Sequence, residues 1–421
     1  MQSMLFIYNL IVVCADFILK IAALFNPKIK LFVDGRKSVY KVLFNKIKAY
    51  DKTIWFHAAS LGEYEQGLPV MERMKSRFPN HLIVLTFFSP SGYEVRKNNT
   101  IADVTVYLPL DTQSNVEKFM EIVRPDMAFF IKYEYWPNYL NALKNRETPT
   151  YLISGIFRDD QLFFKWYGGF YRNALNAFEH FFVQNSKSKD LLLKLGKLNV
   201  TVSGDTRFDR VASILNRDNS LEFIEEFKNN SLTIVVGSSW PKDESLLVSY
   251  INSTENVKFI IAPHNIKTEQ IQALKSSISK KTILFSEVDF TSSNPINLAH
   301  FDVFIIDTIG ILTKIYSYAD IAYVGGGFGN PGVHNILEPA TFGVPIVIGT
   351  NYSHFPEATA LVNMEGCISI STQEELNEAF DNLIQNQDIR FEKGHICSTF
   401  VEMNKNATEI IMNHIAPKKT I

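Results

Sequence analysis

From residue 54 onward the chain is written as short apolar runs separated by amphipathic segments, and no other feature narrows the choice of fold as much. The first series is IWFHAA (54–59), HLIVLTFF (81–88), VTVYLPL (104–110), MAFFI (127–131), TYLISGI (150–156), HFFVQN (180–185) and VTVSG (200–204). Helical patterns lie between the runs, near 63–76, 113–123 and a Phe/Tyr-rich stretch near 161–178. Runs with no polar face must be covered on both sides, so strands alternating with helices predict parallel sheets wrapped by helices. A second series follows: LTIVVGSS (232–239), KFIIAPH (258–264), TILFS (282–286), VFIIDT (303–308), IAYVGGG (321–327), PIVIG (345–349) and CISI (367–370). A polar, mixed-charge stretch, 207–231, separates the two series. A chain of 421 residues suits two cores. The expected architecture is α/β, with two Rossmann-like doubly wound domains facing a cleft and ligands at the carboxyl ends of the strands. Their expected limits are 27–206 and 207–421, after an amino-terminal helix over 1–26.

That helix is the second constraint. Residues 4–25, MLFIYNLIVVCADFILKIAALF, are long enough to cross a bilayer but are interrupted by Asn9, Asp16 and Lys20, a pattern that fits an interfacial helix better than a span. No basic residue precedes the apolar run, so a cleaved secretory signal is not expected. Lys28, Lys30, Arg36, Lys37, Lys41, Lys46 and Lys48 follow, with Asp34 the one acid between Lys28 and Lys48. Such a collar suits anionic headgroups or an acidic substrate, and an ordinary first helix with solvated lysines is the plainer reading. The balance of 42 Lys+Arg against 44 Asp+Glu excludes a generally basic nucleic-acid binder, and 46% apolar residues exclude a disordered chain. Three scattered cysteines form neither a metal knuckle nor a redox pair and fit a reducing compartment.

Four segments carry candidate chemistry. In 321–349 a strand runs into Gly325-Gly326-Gly327-Phe328-Gly329 and a helix opens near Ile336. Glycines there admit a phosphate to backbone N–H groups, although neither a Walker lysine nor a dinucleotide fingerprint is present. Asn335 and Glu338 fit a capping box and fit equally a carboxylate on a ribose diol. Ser60 and Glu63 are likewise a capping box, or Glu63 is a general base beside the open backbone of Gly62. Lys132 and Glu134 follow a buried strand at an extended tip, as an ion pair or a site. Arg207, at the expected domain junction, is a linker charge or an anion contact. Asp159-Asp160 is the nearest approach to a metal-binding acidic pair and reads as a solvated turn.

These segments, in this order, resemble the 3-deoxy-D-manno-octulosonic acid (Kdo) transferases of lipopolysaccharide synthesis. The resemblance rests on His57-Ala-Ala-Ser-Leu-Gly-Glu63, Thr86-Phe-Phe-Ser-Pro-Ser-Gly92, Glu134-Tyr-Trp-Pro-Asn138, Ser203-Gly-Asp-Thr-Arg-Phe-Asp209 and His334-Asn-Ile-Leu-Glu-Pro-Ala340. It implies the GT-B glycosyltransferase fold and transfer of Kdo from CMP-Kdo to a lipid A precursor (lipid IVA) at the cytoplasmic face of the inner membrane. The transfer is inverting and uses neither a metal nor a cofactor, CMP-Kdo being a co-substrate. Matching positions make Glu63 the base and put Arg207 where the family usually has a transition-state-stabilising lysine. CMP contacts fall on Pro263 and His264, on Ile309, Gly310 and Ile311, and on Asn335, Ile336, Leu337 and Glu338. Three positions depart from the family pattern: Lys132 replaces a glutamate close to where the sugar should sit, His264 an arginine, and Ile336 a proline. A nucleotide-sugar epimerase on the same fold, or a membrane-bound CMP- and lipid-binding pseudoenzyme, are the alternative readings.

Overall fold

A continuous apolar strand is stable only when neighbouring strands take its backbone hydrogen bonds and helices cover both of its faces. The computed structural model, which describes residues 2–291 and 296–415, shows every one of the expected runs as a strand paired in a sheet. The first sheet comprises β1 (Lys52–Ala58), β2 (His81–Phe87), β3 (Val104–Tyr107), β4 (Pro125–Ile131), β5 (Thr150–Gly155), β6 (His180–Val183) and β7 (Val200–Val202). The second comprises β8 (Leu232–Ser239), β9 (Val257–Pro263), β10 (Thr282–Leu284), β11 (Val303–Ile305), β12 (Ile321–Val324), β13 (Ile346–Gly349) and β14 (Cys367–Ile370).

Both sheets are parallel and have seven strands, in the orders β3-β2-β1-β4-β5-β6-β7 and β10-β11-β9-β8-β12-β13-β14. The order reverses between β1 and β4 in one sheet and between β8 and β12 in the other. At such a switch point the two connections leave on opposite faces, opening a crevice at the strands' carboxyl ends. In the first sheet Trp55, Phe130 and Phe119 fill one face while Ile54, Phe56 and Phe129 fill the other, with the Phe56 and Phe129 rings stacked at 4.6 Å.

The chain divides into two compact units, Met1–Arg210 with Lys405–Ile421, and Val211–Asn404. This corrects the expected second domain of 207–421, because the chain returns to the first unit. Helix Ala407–His414 buries Ile411 and Met412 in the first core, Arg77 donates to the Met412 carbonyl at 2.8 Å, and Asp209 accepts from the Thr408 amide. The mixed-charge stretch after Arg207 is not a bare linker either: helix Glu222–Lys228 seats Ile224 and Phe227 in the second core. The Phe/Tyr-rich stretch near 161–178 is broken into 3-10 turns Leu162–Phe164 and Leu175–Ala177 around the short helix Gly169–Ala174.

Helix Gln2–Ala22 is apolar enough over Met4–Ala22 to cross a membrane by length and composition. One face touches the first unit, where the Tyr8 hydroxyl donates to Asp111 at 2.7 Å and Asn138 donates to the Asn9 side-chain oxygen at 2.7 Å. The other face leaves Phe6, Leu10, Val13 and Phe17 exposed.

Candidate active site

The parallel register between β1 and β2 pairs His57 with Thr86, and the β1–β4 pairing brings His57 beside Phe130 at the switch point. Trp55 and His57, two apart on β1, therefore share a face, and both reach the Thr86 hydroxyl, through Trp55 Nε1 at 2.8 Å and His57 Nδ1 at 2.9 Å. His57 Nε2 lies 2.9 Å from Glu134 Oε2, and the same oxygen accepts from Trp136 Nε1 at 2.8 Å. Glu134 thus turns inward and is buried. Lys132 sits in a left-handed turn, φ 66°, with its ammonium 4.9 Å from the Tyr133 ring centroid. The extended tip expected for this pair is therefore absent, and Glu134 is held by His57 and Trp136 in place of a lysine.

Glu63 stands at the third position of helix Leu61–Arg77 and is 7% exposed. Its carboxylate reaches back past the cap to the Ala59 amide, and the Ser60 side chain makes no capping bond, so the reciprocal capping box is not formed. Burial, reinforced by the negative charge of Glu134, raises the Glu63 pKa from 4.5 to about 7, against the backbone amides and Lys132, which act to lower it. A Cβ at Gly62 would meet open space, so the approach to Glu63 is unobstructed there. Its neighbours belong to the fold: Tyr64 is buried, and Glu65 pairs with Arg96 at 2.9 Å and Arg210 at 3.2 Å.

Arg207 is not a lone linker charge. Its Nε and backbone amide donate to Asp205 at 2.9 Å each, its Nη2 is 2.8 Å from the same carboxylate, and Gln66 donates to that carboxylate from the helix carrying Glu63. Any anion bound by Arg207 shares it with buried Asp205. The Asp159-Asp160 pair is exposed and answered by Lys187 and Arg158, as a surface turn should be.

In the second unit the residues expected to contact CMP lie at or beyond the carboxyl ends of β9, β11 and β12, Pro263 being the last residue of β9. Thr313, just after Ile309–Ile311, donates to Glu338 at 2.8 Å, and Asn335 donates to its other oxygen at 3.0 Å. The capping box is not made: Ile336 is the cap residue, and Asn335 accepts instead from the Leu337 amide at 3.2 Å. Ile336 and Leu337 bury their side chains, so a ligand meets only their main chain. Ile309 is 82% exposed, and Gly310 has φ 103° in open space.

The glycine-rich loop departs from expectation. The Gly325 amide donates to Gly237, Gly326 to Asp243 and Gly329 to Gly326, so these N–H groups are spent within the fold. Close approach explains the glycines better, since a Cβ at Gly325 would lie 2.4 Å from the Ser238 carbonyl oxygen and one at Gly327 2.6 Å from Gly349 Cα.

Sequence reasoning missed Trp240. Its ring stacks on His264 at 4.5 Å, His264 stacks on His334 at 4.5 Å, and Trp240 Nε1 donates to His334 Nε2 at 2.8 Å. Burial pushes both histidines below 6.5, favouring neutral rings at pH 7. Buried Asp243 ties the group together by accepting from Trp240, Gly326 and Tyr323, each at 2.9 Å. The signal in the sequence was Trp240-Pro241 directly after β8, a switch-point strand. Among the described residues no group of three or more His, Cys, Asp or Glu side chains is placed to hold a metal ion.

Two doubly wound parallel sheets in one chain, with polar constellations at each switch point, define the GT-B fold class. Over 86% of this chain and 99% of the other, the fold matches a crystal structure of UDP-GlcNAc 2-epimerase from Neisseria meningitidis, with a TM-score of 0.60 at 16% identity. Acinetobacter baumannii MurG matches over 87% of this chain and 99% of the other, with a TM-score of 0.53 at 13% identity. Residues 34–210 match the family model for 3-deoxy-D-manno-octulosonic-acid transferase (kdotransferase). A curated 3-deoxy-D-manno-octulosonic acid transferase of Chlamydia trachomatis serovar D is 28% identical over 95% of this chain and 94% of its own length. The chain is thus similar to the Kdo transferases, by the family model over residues 34–210 and by the curated relative over most of its length.

Proposed function

We propose that this protein transfers Kdo from CMP-Kdo to a lipid A precursor, lipid IVA, with inversion and without a metal, at the cytoplasmic face of the inner membrane. The observation that carries the reading is Glu63, a buried carboxylate at a strand-end helix start whose pKa is raised to about 7. A base is most effective when its pKa lies near the working pH. Glu63 takes the proton of the acceptor hydroxyl as the oxygen attacks Kdo C2, and the bond to the CMP phosphate breaks.

The second unit holds the nucleotide. Glu338, already oriented by Thr313 and Asn335, accepts from the ribose hydroxyls, and the exposed turn Ile309–Ile311 offers main chain to the base. Pro263 and His264 flank the phosphate, the His264 ring being set by Trp240 and His334. Arg207, oriented by Asp205, meets charge developing on the leaving phosphate, and Lys132 faces the sugar. The glycine-loop amides already bonded within the fold take no part. The amino-terminal helix lies on the membrane: its polar Tyr8 and Asn9 dock on the first unit while its apolar face remains open to lipid.

The test is incubation with CMP-Kdo, generated in situ, and a tetra-acylated lipid A precursor, followed by mass spectrometry of the lipid. A Kdo-bearing lipid is expected. CMP release without a lipid product would replace the reading with an epimerase-like or hydrolytic enzyme, and tight CMP binding without turnover with a binding protein.

A further inference from the structure

A cavity of the first unit lies away from Glu63. It has a volume of about 630 Å³ and lies where the amino-terminal helix gives way to helix Pro27–Lys37. Leu19, Ala23 and Leu24 form one wall, and Phe32 and Val33 another. The rim is basic. Lys20 and Lys37 are each answered by a neighbouring acid, Asp16 at 2.6 Å and Asp34 at 2.7 Å, whereas Lys30 is exposed with no carboxylate in ion-pair range among the described residues. An apolar chamber with cationic groups at its edge, beside a helix whose outer face is lipid-compatible, matches a molecule with an alkyl chain and an anionic head.

The cavity is wired to the proposed base. Half-buried Arg36, in its wall, donates to the carbonyls of Phe32, Leu108 and Phe88 and lies 3.6 Å from the Phe32 ring centroid. The next residue, Ser89, donates from its amide to Ala59 at 2.8 Å, and the Ala59 amide binds the Glu63 carboxylate. A parallel line of rings runs from Phe32 to Phe88 at 5.2 Å and on to Trp136 at 4.7 Å, whose Nε1 holds Glu134. An occupant of this chamber is therefore anchored a few side chains from the reacting groups, which a bulk membrane lipid has no need to be.

We propose that this cavity takes an acyl chain of the lipid acceptor, with Lys30 and Lys37 meeting its phosphate, and so sets which hydroxyl reaches Glu63. The proposal rests on the reading of the protein as a transferase acting on a phosphorylated, acylated sugar acceptor. Ala23→Trp fills the chamber without touching Glu63, Arg207 or the nucleotide residues. With the full chain, it should raise the KM for tetra-acylated acceptor at least tenfold. It should leave kcat and the CMP-Kdo KM within twofold, and a deacylated acceptor should be used equally by variant and wild type. An unchanged KM for the acylated acceptor overturns the proposal, as does an equal rise for the deacylated one. Weaker sedimentation with phosphatidylglycerol vesicles and an unaltered acceptor KM would assign the cavity to membrane phospholipid instead.

If Ala23→Trp does not fold, Lys30→Glu at the solvent-facing rim should raise the KM for the phosphorylated acceptor and not for its dephosphorylated form, and equal effects overturn the proposal. If wild type transfers no Kdo, the functional reading fails by itself. Retention of radiolabelled tetra-acylated acceptor by wild type but not by Ala23→Trp then still supports the cavity's role, and equal retention ends it.

Discussion

Glu134 Oε2 lies 2.9 Å from His57 Nε2 across 77 residues of sequence, and the carboxylate so held adds to the burial that raises the pKa of Glu63. His57 Nδ1 faces the Thr86 carbonyl at 3.2 Å as well as its hydroxyl. Trp136 Nε1 closes the group, lying 3.0 Å from His57 Nε2 and 2.8 Å from Glu134 Oε2. In the proposed reaction Glu134 is a positioning residue for Glu63, acting through charge.

Glu63→Gln should fold and bind CMP as wild type does, yet transfer Kdo ~10²–10⁴-fold more slowly, the usual cost of losing a general base. In wild type kcat/KM should rise with pH through about 7, where Glu63 loses its proton. Transfer by the variant at near wild-type rate, or a flat profile from pH 5.5 to 8, would assign the base elsewhere, with Glu134 the next carboxylate to test.

The same shift has a stability consequence of definite sign. A carboxyl whose pKa is raised on folding contributes stability that is fully present below its unfolded value and is lost as pH rises through the folded value. At about 1.4 kcal/mol per pKa unit, Glu63 should cost the wild type up to about 3 kcal/mol between pH 4.5 and 7. Urea unfolding should show Glu63→Gln gaining on wild type at pH 8 and not at pH 4. Parallel curves would refute the shift.

Glu338 accepts from side chains and leaves the capping box unmade, so Glu338→Gln should lower CMP affinity by about 1–3 kcal/mol with little change in Tm. Calorimetric titration and a melting curve separate the two effects. A lower Tm with unchanged CMP affinity would return Glu338 to a purely structural role.

Burial holds the His264 pKa below its ordinary value, so CMP should bind more tightly as pH falls and the ring gains its proton. His264→Arg supplies a permanent charge and should tighten CMP by about 1.5–3 kcal/mol at pH 8, the range for hydrogen bonds to charged groups. Titrations of both proteins at pH 8 check this, and an affinity unchanged by His264→Arg would remove His264 from the phosphate.

Much of this was legible in the chain alone, and for local reasons. Each strand is an apolar run with its own period and punctuation, so all the runs from 54–59 to 367–370 could be placed before any contact was known. Glu63 and Glu338 were visible because both follow small or polar residues at a strand-to-helix turn, and the amino-terminal helix because apolar length is itself the signal. What local pattern could not show was how the polar groups pair. Trp240 and His334 are 94 residues apart, Asp205 and Gln66 are 139 apart, and Asp243 takes the Gly326 amide that the motif alone would have offered to a phosphate. The terminal helix Ala407–His414 carries an ordinary apolar stripe that says nothing of which core it enters. Periodicity reports whether a residue is to be buried, and that much a sequence determines. The partner a buried carboxylate, imidazole or amide finds is set by sheet order and register, which exist only once the chain has folded.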